Sequence, residues 1–170
     1  MNKRPQPNEY GPYYHTYISK VENDNLLQAL ADGQRSTLEF FKGLPAEKWA
    51  YRYAEGKWSI KELLLHLIDC ERVFANRALR IARNDKTPLP GFDENLFAES
   101  SRAASRTPDS LLAEYEAVRT ATLHLYQHLA EEDLVRIGTA SNHPASPKAI
   151  GFIIVGHEVH HIGIVRERYL

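Results

Sequence analysis

A chain of 170 residues, 43% hydrophobic and 25% charged, is long enough to bury its own core and ordinary for one globular domain. A net charge of −1 and a pI near 6.7 give no broad electrostatic reason to bind nucleic acid or an anionic membrane. A single cysteine, Cys70, excludes an internal disulfide framework.

The opening "MNKRPQPNEYGPYYHTY" has no apolar run of signal-peptide length, and no later stretch is apolar enough to span a bilayer. A cytoplasmic location is expected. Residues 1–24 are rich in Tyr and Pro and read as an arm, and residues 25–170 read as the folded domain. Leu26, Leu30, Leu38 and Phe41 make a stripe on a first helix from about Asn25 to Lys42, which Gly43-Leu44-Pro45 stops. In "KWSIKELLLHL" Ser59 is a natural N-cap, and Glu62 three residues on makes a capping box. Trp58 and Leu63 are placed to form the accompanying hydrophobic staple. That second helix should reach about Arg83.

A long connection follows, Asn84 to Arg106, with a short helix expected around Glu94–Ala98. Thr107 then caps a third helix with Pro108 at its first position. Leu111, Tyr115, Val118, Thr122, Leu125 and Leu129 recur along it at helical steps. Ser146 and Pro147 repeat the same entry for a fourth helix running to about Leu170. Almost nothing reads as a strand. Four amphipathic helices predict an all-α four-helix bundle, and the long middle connection allows one crossing that is not a hairpin.

The fourth helix ends in "GHEVHHIGIVRERYL", which contains the H-E-x-x-H spelling of zinc peptidases. At about 100° per residue, His157 and His161 point within about 40° of each other, on a stripe that also carries Ile150, Ile154 and Ile164. Two imidazoles on such a stripe face a bundle interior. His160 and Glu158 fall on opposite flanks, His160 sharing its side with Gly156 and Gly163, which leave room for another helix. The pair His157/His161 is therefore preferred as metal ligands, with His157/His160 as the rival.

Catalytic zinc takes three protein ligands and keeps one position open, and peptidases of this type find the third ligand after the motif helix. Only residues 162–170 follow His161, and they read as the same helix finishing. The third ligand is expected upstream, and His66, in the most apolar run of the second helix, is the best candidate. Such a site suits zinc or nickel first, with iron or manganese as alternatives. His124 and His128 lie off their helix's apolar stripe and read as solvated, and nothing recommends His15 or His143. Cys70 reads as a small buried hydrophobe beside the site. Glu158 reads as a surface or supporting carboxylate before it reads as a base.

The pieces "GKWSIKELLLHLIDCE", "LPGFDENLFA" and "VGHEVHHIGIVRERYL" together resemble the DinB-like (YfiT-type) superfamily of bacterial metal-binding four-helix bundles. The resemblance covers the chain from about Asn25 onward and leaves the arm out. It implies a divalent metal on His66, His157 and His161, a homodimer, and a transferase that joins a low-molecular-weight thiol such as bacillithiol or mycothiol to an electrophile. Two other functions compete: metal-assisted hydrolysis with Glu158 or Asp69 as base, and a metal-binding bundle without catalysis.

Overall fold

The computed structural model describes residues 3–170. Helix α1 spans His15–Ile18, α2 Leu26–Lys42, α3 Ile60–Ala82, α4 Glu94–Ser100, α5 Pro108–Gln127, α6 Glu131–Leu134 and α7 Pro147–Arg168. Local chemistry sets the starts of the four long helices. Asn25, Ser59, Thr107 and Ser146 each accept a backbone N–H of the first turn, supplying a partner to a donor that the helix itself leaves over. Ser59 and Glu62 form the expected capping box. Pro108 and Pro147 occupy first positions, where a missing N–H costs nothing.

α2, α5, α3 and α7 pack in that order around a square, each against its two neighbours. Lys61 Nζ reaches the Arg106 carbonyl at 2.6 Å, and Arg119 meets Glu71 further along. α3 and α5 therefore run in the same direction, and the connection between them is the crossing. Against α2, α5 runs the opposite way: Arg119 bonds the Leu30 carbonyl, while Phe41 packs in the cluster that holds Leu111. Two apolar clusters fill the interior, one around Leu26, Leu30, Phe74 and Phe152, the other around Phe41, Ile60, Leu64 and Leu111. Fully burying one such side chain contributes about 1.5–3 kcal/mol.

Smaller elements join the bundle at its edges. Strands β1 Gly138–Ala140 and β2 His143–Ala145 pair antiparallel. Ser141 and Asn142 between them both have positive φ, 51° and 64°. That combination makes a two-residue hairpin turn matched to strand twist. Neither strand has the length to show an alternating pattern, so the hairpin is an addition to the expected helices.

The arm packs onto the bundle. The Glu9 carboxylate accepts from Ser146 Oγ at 2.7 Å and pairs with Lys148 at 3.0 Å, and the Ser146 N–H donates to the Glu9 carbonyl. A carboxylate there also lies at the positive end of the α7 dipole. Further along, Tyr17, Ile18 and Val21 are buried. A Cβ on Gly156 would stand 2.0 Å from the Tyr17 carbonyl oxygen, so the room left by the missing side chain is taken by α1. Gly156→Ala must push backbone aside; it is expected to cost about 1–3 kcal/mol in urea unfolding and to expose the arm to protease. Unchanged stability and proteolysis would show that α1 does not rest on this glycine.

Candidate metal centre

Antiparallel packing of α3 on α7 brings His66 opposite His157 and His161. His66 Nε2 lies 3.1 Å from His157 Nε2, and His161 Nε2 lies 3.0 Å from the same atom. All three offer a nitrogen within 4.8 Å of the others. Three imidazoles on one ion with bonds of 2.0–2.1 Å place their nitrogens roughly 3.0–3.4 Å apart, so the spacing fits. It fits hydrogen bonding less well. His157 Nε2 has one lone pair in the ring plane, yet it faces two partners at bonding distance.

Electrostatics favours the lone pairs. Burial holds the pKa of His66 down to about 4. Burial, and then the neighbouring His66 and His160, hold that of His161 down to about 3. His157 is driven well below 6.5, by burial first and then by the three histidines around it. All three are therefore neutral at pH 7, the protonation state in which imidazole ligates a metal. Among the described residues, His161 Nδ1 is buried without a hydrogen-bond partner. His66 Nδ1 lies 3.5 Å from Cys70 Sγ, and the Trp58 ring sits on His66 with centroids 4.7 Å apart. The donor set of three neutral nitrogens, with no carboxylate, supports a divalent metal of the transition series.

An open pocket of about 280 Å³ lies over the triad. The arm supplies one wall, Tyr13, Tyr14 and Tyr17; Trp58 and Phe74 line it from the bundle; Glu94 is the carboxylate that lines it. Tyr17 stands edge-on to His157 with centroids 5.2 Å apart, and its hydroxyl shares a 2.9 Å hydrogen bond with that of Tyr13. Cys70 also lines the pocket, but burial, reinforced by Glu94 and Asp69, pushes its pKa up to about 12. Its thiol stays protonated and is a poor nucleophile.

The remaining predicted residues go elsewhere. His160 lines the pocket but lies outside the three-nitrogen cluster. His124 and His128 are exposed. His15 bonds Tyr10 at 3.2 Å, and His143 packs beside Gly11. Glu158 corrects the surface reading. It is 2% exposed, accepts from the Tyr115 hydroxyl, and takes a 2.8 Å bond from Arg119. Its helix flank faces α5 rather than solvent. Asp69 pairs with Arg72 at 3.7 Å and does not line the pocket. The tyrosines, Phe74 and Glu94 were not foreseen as pocket residues, though Tyr13 and Tyr17 at i, i+4 carried a faint helical signal.

Bundle and triad together define a helical protein in which three imidazoles that could hold a metal ion lie beneath an aromatic pocket. The chain belongs to the DinB superfamily, whose sequence profile matches residues 29–165. No curated protein matches it by sequence. Its fold is similar to that of YfiT from Bacillus subtilis, a probable metal-dependent hydrolase with an unusual four-helix bundle topology. The TM-score is 0.75 at 16% identity, over 98% of this chain and 91% of that one. The mycothiol-dependent maleylpyruvate isomerase gives 0.66 at 14% identity, over 86% of this chain and 60% of that one. The DinB-like protein YjoA of Bacillus subtilis gives 0.58 at 21% identity, over 84% and 90%. Among the described residues no helix is long and apolar enough to cross a membrane.

The depressed histidines carry a pH dependence. Unfolded histidine titrates near 6.5, whereas His66 and His161 titrate near 4 and 3 in the fold. Between those values the unfolded chain binds more protons. Their contribution to stability is thus full above pH about 6.5 and shrinks as pH falls toward 4. With chelator present, the urea midpoint of the wild-type protein should fall more steeply from pH 7 to 4.5 than that of His66→Gln. Parallel curves would mean that the rings are not held neutral.

Proposed function

We propose that this protein is a metal-dependent transferase that joins a small thiol to an organic electrophile, with His66, His157 and His161 holding the ion. The observation that carries the reading is the convergence of three neutral Nε2 atoms beneath an open, aromatic-walled pocket. Zinc and nickel suit the donor set best. When bound, such an ion stabilises thiolate over thiol and so supplies the nucleophile. Three uncharged ligands leave the ion's charge undiminished for that purpose. The thiol is assigned to a cosubstrate, as the family resemblance implies.

The chain's other residues orient the electrophile and limit water. Trp58, Phe74 and the three tyrosines offer flat apolar faces, and no Lys or Arg is among the residues that line the pocket. With Glu94 at the wall, a neutral or cationic aromatic electrophile is matched and a carboxylate-bearing one is not. A volume of about 280 Å³ approaches the lower end of small-molecule sites, and such room above the triad speaks against a purely structural ion. The homodimer rests on the family resemblance alone.

Hydrolysis is the second reading, and one observation supports it: the fold match with YfiT spans nearly the whole chain. Neither Glu158 nor Asp69 lines the pocket, so Glu94 is the carboxylate placed to act as base. Purified wild-type protein is expected to carry about one divalent ion per chain by plasma mass spectrometry, and His66→Ala and His161→Ala to lose it. Conjugation of chlorodinitrobenzene with cysteine, cysteamine, bacillithiol or mycothiol should require the metal and fail in both variants. Thiol-free ester turnover that falls in Glu94→Gln would favour hydrolysis instead, and stoichiometric metal in the double variant would remove the centre altogether.

A further inference from the structure

A cluster of buried ions adjoins the centre and has no part in the chemistry above. Arg119, 1% exposed, donates through Nε and a terminal nitrogen to both oxygens of Glu71, at 2.9 and 3.0 Å. The same terminal nitrogen reaches Glu158 at 2.8 Å, and Tyr115 donates its hydroxyl to Glu158. Its other terminal nitrogen bonds the Leu30 carbonyl. Two carboxylates thus face one guanidinium, all at most 3% exposed. Among the described residues no second cation pairs with them, so this part of the core carries one net negative charge. An unbalanced charge in the interior is costly and calls for a positive partner nearby.

His157 is the link to such a partner. A small cavity of about 10 Å³ is lined by His157, Glu71, Arg119 and Glu158, with Leu67 and Phe74 also in its wall. That is the size of one water, which needs a volume of roughly 10–15 Å³ and two or more polar partners. His157 Nε2 faces the other two rings. Once that lone pair serves an ion, the ring proton resides on Nδ1, and a buried N–H requires an acceptor. Among the described residues no protein atom bonds His157 Nδ1 directly. Glu71 retains spare lone pairs after accepting from Arg119.

We propose that Glu71, clamped by Arg119, positions His157 through one water in this cavity, and that the Glu71–Arg119–Glu158 cluster is the counter-charge that lets the bundle core accept a divalent cation. The proposal rests on the metal-holding part of the function proposed above. Second partners of this kind fix ring orientation and raise ligand basicity. Glu71 is accordingly a positioning residue, acting through His157.

The experiment uses the full chain loaded with zinc. Imidazole proton–nitrogen spectra of the wild type are expected to show His157 protonated at Nδ1, with that proton exchanging slowly. Metal on Nδ1, or a proton in fast exchange with solvent, overturns the water anchor without any variant. Glu71→Gln and Glu158→Gln each remove one buried negative charge at constant shape. Both are expected to weaken zinc about 10–100-fold in competition with a chromophoric chelator, while the metal-free melting point moves far less than the zinc-loaded one. Zinc affinity equal to wild type in either folded variant overturns the counter-charge. Should the wild type itself bind no zinc, the metal function fails; should it bind zinc tightly while the glutamine variants do too, only this inference fails.

Discussion

The contact on which the rest depends is that of α3 with α7, where His66 faces His157 at 3.1 Å. Apolar neighbours on both helices strip water from the rings, and desolvation is the largest influence on all three titrations. Burial that would be a liability for a charged imidazole keeps a neutral one ready to ligate. Phe74 of α3 belongs both to an apolar core cluster and to the lining of the pocket, so core and pocket wall meet on that helix.

Polar groups in the core are distributed with equal economy. Arg119 bonds residues of α2, α3 and α7 from its place on α5, tying all four long helices at one level. The bundle is therefore pinned in register close to the imidazoles, where a small slide of one helix would pull three nitrogens out of reach of a common point.

The four long helices were legible because each begins with a side chain that caps it and repeats its apolar residues at helical steps. Ser59 with Glu62, and Pro108 and Pro147 just inside their helices, are local signals that no tertiary contact needed to override. Helical phase favoured His157 with His161 over His160, and His66 was picked out by the apolar run around it. Three-residue strands carry no periodicity, which hid the hairpin; only Ser141-Asn142 hinted at its turn. Glu158 stayed open between a surface and a supporting carboxylate because an angle of about 80° from the ligand midline is equally the angle of a solvated flank and of one facing a third helix. Arg119, a charge on the stripe of Leu111, Tyr115 and Thr122, was the clue that a carboxylate had to come inside.

Tyr13, Tyr14 and Tyr17 belong to a stretch that precedes the profile-matched region, residues 29–165, whereas the three imidazoles lie within it. The tyrosine wall of the pocket thus lies outside the matched stretch, while Trp58, Phe74 and Glu94 line it from within that stretch. Substitutions in the leading segment would therefore reshape one wall of the pocket while the three imidazole-bearing positions stay as they are.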